Sequence, residues 1–178
     1  LTGPRNIDDP RNKLYLSVFK TLKLTNPKAL VVENVRGLKT MWDGNVFKEI
    51  IKKFESAGYI VTESLLNSAD YGVPQIRHRV FIVGIKKELD KKFEFPKPEF
   101  DKDDYITCGE AIGNLPSLEN GELKSNDYNE KPTTNYQRYV MDSNKIYNHE
   151  ATLHKQFVKD TIALVPEGGN YKDLPKGV

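Results

Sequence analysis

The chain has 178 residues, 38% of them hydrophobic, and a formal charge of +2. That is enough for one ordinary core with a smaller appended domain, and too little net charge to imply a polyanionic partner by itself. No apolar run approaches the roughly 18–20 residues that span a bilayer, and the opening LTGPRNIDDP lacks the basic and apolar regions of a secretory signal, so no membrane partner and a cytoplasmic location are expected.

The single cysteine, Cys108, excludes an intramolecular disulfide and a cysteine-rich zinc site. The first residue is not Met and the start is polar with Gly and Pro, as expected of an internal piece of a longer protein. Asp9 before Pro10 is a helix start, because the carboxylate caps free N–H groups and Pro is tolerated in the first turn. Leu14, Val18 and Leu22 recur every four residues, and Asn26 with Pro27 ends that helix. Ala29 to Val32 reads as a short buried strand, with Glu33 and Asn34 at its carboxyl end and a turn at Gly37.

Val46, Phe47, Ile50, Ile51 and Phe54 mark one face of a helix over Asn45 to Ala57, stopped by Gly58. Tyr59 to Leu66 and Gln75 to Ile85 are the next strands, joined by the loop NSADYGVP. So short a connection predicts an antiparallel hairpin, since a parallel crossover needs about a dozen residues or more. The expected fold class is α/β, a mostly parallel sheet with one reversed strand. The segment KKFEFPKPEFDKDD reads as a solvated linker, which divides the chain into 1–104 and 105–178. Beyond it, TCGEAIGNLP predicts one short helical turn, residues 119–148 are polar with scattered tyrosines, and HKQFVKDTIALV is a helix before the turn PEGGN.

Ligands of open α/β sheets bind outside the carboxyl ends of the parallel strands, where Glu33 and Asn34 lie. A final strand running the other way begins at that same edge. By two-residue alternation Gln75, Arg77 and Arg79 then share one side, and two guanidiniums and an amide converge near the Glu33 carboxylate. Taken singly, an arginine or a glutamate at a strand end also fits an ordinary solvated charge.

The ordered set ENVRGL, then GYIVTESLLNSADYGVPQIRHRVFIVG, resembles the cytosine-5 DNA methyltransferase family. GPRNIDDPRNKLY is similar to the segment after that family's nucleophile loop, ENV to its strand-end motif and Q-x-R-x-R to its paired arginines. FPKP, AIGNLP and VPEGGNYKDLP are similar to its connections into the target-recognition region. The resemblance implies a partial Rossmann-like methyltransferase fold dependent on S-adenosylmethionine. Residues 1–104 would be the later half of the catalytic domain, with an antiparallel final hairpin, and 105–178 the connection and the start of a small recognition domain. It implies methyl transfer to C5 of a flipped cytosine in double-stranded DNA, as in restriction-modification.

By the same resemblance Glu33 is the group that meets cytosine N3, in a dry pocket that lets a carboxyl donate. Asn34 positions the base and the nucleophile loop, Arg79 holds O2, Arg77 braces the nucleophile region and Gln75 supports the substrate. Leu14 would pack near the donor's adenine, and also fits an ordinary core position. Asp70, Tyr71 and Gly72 belong to a turn first and to the pocket second. The Pro-Cys nucleophile motif, the F-x-G-x-G-G donor loop and the family's final motif are not in the sequence, so the 178 residues alone are expected to be inactive. Cys108 sits where the family begins a connecting helix and is not expected to be the nucleophile. His78, His149 and His154 do not suggest a metal site, and Gly168 with Gly169 reads as a turn. The same motifs also fit a subunit of a split methyltransferase that docks with a complementary fragment, or a transfer-RNA cytosine-5 methyltransferase.

Overall fold

The computed structural model describes residues 15–122, 127–128, 130–141 and 145–177. The Asp9–Pro10 helix start and Leu14 lie outside the described residues. Two compact units divide the chain, Leu1–Tyr105 and Ile106–Val178.

In the first unit, helix α1 (Tyr15–Thr25) leads to strand β1 (Ala29–Val35), helix α2 (Asn45–Ser56), strand β2 (Tyr59–Asn67) and strand β3 (His78–Lys86). The strand order is β1-β3-β2, and β3 is antiparallel to both neighbours. The expected reversal of the final strand is therefore present. The two strands that run the same way, β1 and β2, are separated by β3, so both pairings among the described residues are antiparallel.

The register sorts the side chains. Leu30 lies opposite Gly84, Val32 opposite Ile82, and Val61 opposite Gly84 on the other side, so Leu30, Val32, Val80, Ile82, Tyr59 and Val61 share one face. Onto that face pack Leu22 of α1 and Phe47, Ile50 and Phe54 of α2, as the four-residue spacing of the helices requires. Phe54 is 1% exposed and its ring lies 4.7 Å from that of Phe19. Gly84 has no side chain because Leu30 fills the space, its nearest atom 3.0 Å from where a Cβ would stand. The opposite face carries Val31, 66% exposed, Glu33 and Arg79.

Two local expectations change. The last strand begins at His78, not Gln75, because Gln75 N–H donates to the Val73 carbonyl (2.7 Å) in a tight turn after Pro74, which has no N–H to give a ladder. The segment after β3 is also more than a solvated linker. Tyr71 Oη donates to the Pro96 carbonyl (3.0 Å), and the N–H groups of Glu99 and Phe100 donate to the Asp70 carbonyl (2.9 and 3.1 Å). Phe100 lies 3.0 Å from where a Cβ on Gly72 would stand, and Gly72 has a φ of +79°; only glycine meets both conditions without strain. The segment is strapped onto the β2–β3 turn.

In the second unit, α3 (Cys108–Ile112) starts with a capping box of Thr107 and Glu110, and α4 (Asn135–Val140) with one of Thr134 and Gln137. Thr134 Oγ1 donates to the Glu110 carbonyl (2.7 Å). Helix α5 (Gln156–Ala163) and a turn at Gly168 (φ +73°) follow, both as expected. Asn120 and His154 exchange two bonds, Nδ2 to the His154 carbonyl (2.9 Å) and His154 N–H to Oδ1 (2.8 Å). Among the described residues no helix is long and apolar enough to cross a membrane.

The buried ring stack makes a direct test of the core. Phe54→Ala is expected to cost about 3–5 kcal/mol, read as a lower urea midpoint at unchanged slope; a loss below about 1 kcal/mol contradicts the packing described.

Candidate functional site

The site grows out of the β1–β3 register. Val35 faces Arg79 and Glu33 faces Phe81, so Glu33 and Arg79 are diagonal neighbours on one face, within reach of long side chains. Arg79 Nε lies 2.7 Å from Glu33 Oε1, and Arg79 Nη1 donates to the His78 carbonyl (2.9 Å). The guanidinium is thereby aimed from two sides. Of the two side chains, Arg79 is 22% exposed and Glu33 47%. The dry surroundings expected for Glu33 are therefore not supplied by the described residues.

Gln75 and Arg77 precede the strand, so alternation does not orient them. With Arg36 and Arg79 they line an open groove at this edge, which gathers three guanidiniums beside the one Glu33 carboxylate and suits an electron-rich oxygen or a phosphate. Asn34 is on the opposite face from Glu33 by strand alternation, and its Oδ1 accepts the Val35 N–H (2.8 Å). The structure thus joins Glu33 to Arg79, brings Gln75 and Arg77 to the same groove as Arg79, and turns Asn34 onto its own backbone.

Sequence reasoning did not find what holds Arg77. Asn67, at the end of β2 and 7% exposed, accepts the Arg77 N–H on Oδ1 (3.0 Å). Its Nδ2 donates to Asp70 Oδ1 (2.9 Å) and to Tyr105 Oη (3.0 Å), and Tyr105 Oη donates to Asp70 Oδ1. Ser68 N–H donates to the Arg77 carbonyl (3.0 Å). Asp70 and Gly72 thus have the expected turn role, in a 3₁₀ turn over Ser68–Tyr71. Only the Asn-Ser-Ala-Asp turn chemistry hinted at this in sequence; Tyr105 gave no signal at all.

Cys108 is exposed at the first position of α3. His149 Nε2 is 2.7 Å from the Pro116 carbonyl, and the described residues contain no group of three or more His, Cys, Asp or Glu able to hold a metal ion.

The family model of the C-5 cytosine-specific DNA methylases matches residues 2–173. The chain belongs to that family. The resemblance carried by ENV and by Q-x-R-x-R is therefore a true kinship. Among curated methylases, the type II methyltransferase M1.HphI of Haemophilus parahaemolyticus is 36% identical over 171 residues, which is 96% of this chain and 40% of the relative. M.DdeI of Desulfomicrobium norvegicum is 36% identical over 181 residues, 98% of this chain and 44% of the relative. M.BspRI of Lysinibacillus sphaericus is 43% identical over 130 residues, 71% of this chain and 30% of the relative. The chain thus spans less than half the length of these methylases. A solved E. coli structure described as a prophage-encoded DNA modification methyltransferase superposes with a TM-score of 0.62 at 22% identity, over 89% of this chain and 51% of that one. The first unit's α/β layout is accordingly part of a methyltransferase fold.

The bond to Asp70 holds the Tyr105 phenol above its ordinary range. A raised folded value means that the protonated phenol contributes stability below the unfolded pKa of about 10, and that this contribution is lost as pH rises through the folded value. Carbon-13 NMR of labelled tyrosines is expected to show Tyr105 titrating later than a tyrosine in an unstructured peptide, and Asp70→Asn to bring it back. Early titration in the unaltered protein contradicts the bond.

Proposed function

We propose that this chain supplies one wall of the target-cytosine pocket of a DNA (cytosine-5-)-methyltransferase that uses S-adenosylmethionine and serves restriction-modification. The observation that carries the reading is the 2.7 Å Glu33–Arg79 pair at the end of β1, on a chain that belongs to the C-5 methylases.

The chemistry explains why an acid and a base stand side by side. When a thiolate adds to C6 of cytosine, electron density moves to O2 and N3, and C5 becomes able to attack a methyl group. Arg79 donates to O2 as charge grows there, and Glu33 meets the N3 edge and stabilises the proton shared with it. Neighbouring atoms of one base edge call for neighbouring side chains, which diagonal positions on antiparallel strands provide. The base cannot be attacked inside a duplex, so it enters flipped. Its own rings then supply the dryness that half-exposed Glu33 lacks. Arg77 and Gln75 brace the groove, and Asn34 acts through the backbone at the strand end.

S-adenosylmethionine supplies the methyl group when bound. Leu14, the one residue linked to it here, lies outside the described residues, which therefore offer no donor set to fit, and their work is on the cytosine side. The nucleophile comes from polypeptide other than these 178 residues, because Cys108 belongs to the connecting helix. The unit Ile106–Val178 begins the target-recognition region, and double-stranded DNA is the partner.

Residues 1–178 alone, given labelled S-adenosylmethionine and cytosine-containing DNA, are expected to transfer no methyl group; turnover by them, or association with a separately encoded cysteine-bearing chain that restores it, revises the assignment of the nucleophile. In the full-length enzyme, Glu33→Gln and Arg79→Ala are each expected to slow methylation by about 10²–10³-fold with duplex affinity held within about threefold. Unaltered turnover in either variant removes that residue from the role. Activity on transfer RNA but not on DNA overturns the substrate.

A further inference from the structure

The arginine motif meets Glu33 only in one register. Arg79 is the second residue of β3, and a slip of one residue against β1 would turn its side chain to the helix-covered face. Something must pin the strand's beginning, yet the last rung of the β2–β3 ladder is Asn67 opposite His78, and Gln75 to Arg77 are not in strand geometry.

The pin is a side chain. Where the next backbone pairing would fall, Asn67 Oδ1 takes the Arg77 N–H (3.0 Å) and Ser68 N–H gives to the Arg77 carbonyl (3.0 Å). Both main-chain groups of Arg77 are thus held two residues before Arg79. Asn67 is itself immobilised: both hydrogens of its Nδ2 are used, on Asp70 and on Tyr105. Because the Arg77 N–H can only donate, the carboxamide oxygen must face it, which fixes the orientation of the amide. The group is almost buried, at 7% exposure, so a lost partner is not replaced freely by water.

We propose that Asn67 is a positioning residue for the cytosine pocket: through the Arg77 backbone it sets the register that aims Arg79 at Glu33, and Asp70 with Tyr105 sets Asn67. This rests on the methyltransferase reading above. It assigns no contact between Asn67 and the substrate. The reach is long in sequence, since Tyr105 is the last residue of the first compact unit and stands 38 positions after Asn67.

The geometry makes a specific exchange informative. Asn67→Asp alone sets a second carboxylate against Asp70 and removes both donors. Asn67→Asp combined with Asp70→Asn restores every bond with the roles reversed: the position-67 carboxylate accepts from Arg77 N–H, from the new amide at position 70 and from Tyr105 Oη. In the full-length enzyme, Asn67→Asp is expected to lower kcat about 10–100-fold through displacement of the arginines, with KM for DNA within about twofold. The double exchange is expected to recover kcat to within about threefold of the unaltered enzyme. Melting temperatures are measured alongside, because a purely structural role predicts rescue that follows stability and not kcat at saturating DNA.

An Asn67→Asp enzyme that keeps its kcat, or a double exchange no better than the single one, overturns the proposal. If the position-67 variants do not fold, Tyr105→Phe carries the test: it removes one hydroxyl, is expected to lower kcat about threefold, and contradicts the proposal if kcat is unchanged. Glu33→Gln and Arg79→Ala are assayed in parallel. If they too leave turnover intact, the methyltransferase reading of the pocket fails; if they abolish it while Asn67→Asp does not, only the pin fails.

Discussion

The Glu33–Arg79 ion pair depends on one constraint, that β3 is inserted between β1 and β2 and runs against both. Reversal brings the beginning of β3 to the edge where β1 ends. Had β3 been parallel to β1, its first residues would lie at the far end of the sheet and Arg79 would be a solvated charge. With the observed register, a carboxylate and a guanidinium stand 2.7 Å apart. A surface pair of this kind contributes little to stability, on the order of 0–1 kcal/mol. Its presence is better explained by what it can meet than by what it holds together.

The rest of the first unit keeps that edge in place. The same strand that begins with charges continues as Val80 and Ile82, among the least exposed residues of the chain at 0% and 1%, packed beneath α1 and α2. Alternation lets one strand do both tasks, with the helix-covered face apolar and the other carrying Glu33 and Arg79. Beyond the strand's start, hydrogen bonds replace apolar burial. Asn67, Asp70 and Tyr105 hold the turn, and the strap over residues 96–100 closes on the carbonyl of Asp70.

Periodicity made the strands, α2 and the reversal of β3 legible, because each follows from apolar spacing or from the length of a connection. The meeting of Glu33 with Arg79 was legible for the same reason. What spacing could not show was the start of β3 at His78, where a turn after Pro74 takes the Gln75 N–H, so that the side on which Arg77 and Gln75 fall is not given by alternation. It also missed α4, a helix of six residues set by the Thr134–Gln137 capping box and lacking an apolar stripe. The Asn67–Tyr105 contact joins positions 38 apart through polar atoms, and no single-sequence pattern encodes such a pairing. Asn34 is instructive in the opposite sense: its neighbour in ENV reaches the site, while the strand's pleat sends Asn34 itself to the other face.

The central claim is that one strand-end pair receives the flipped cytosine. A crystal structure of the full-length protein on a duplex carrying its target site, trapped at the methylation step, measures this directly. The account predicts the extrahelical cytosine against the end of β1, with Arg79 at hydrogen-bond distance, about 3 Å, from O2 and Glu33 at a similar distance from N3. A cytosine bound elsewhere, or an Arg79 still engaged only with Glu33 and the His78 carbonyl while the base is flipped, would contradict it.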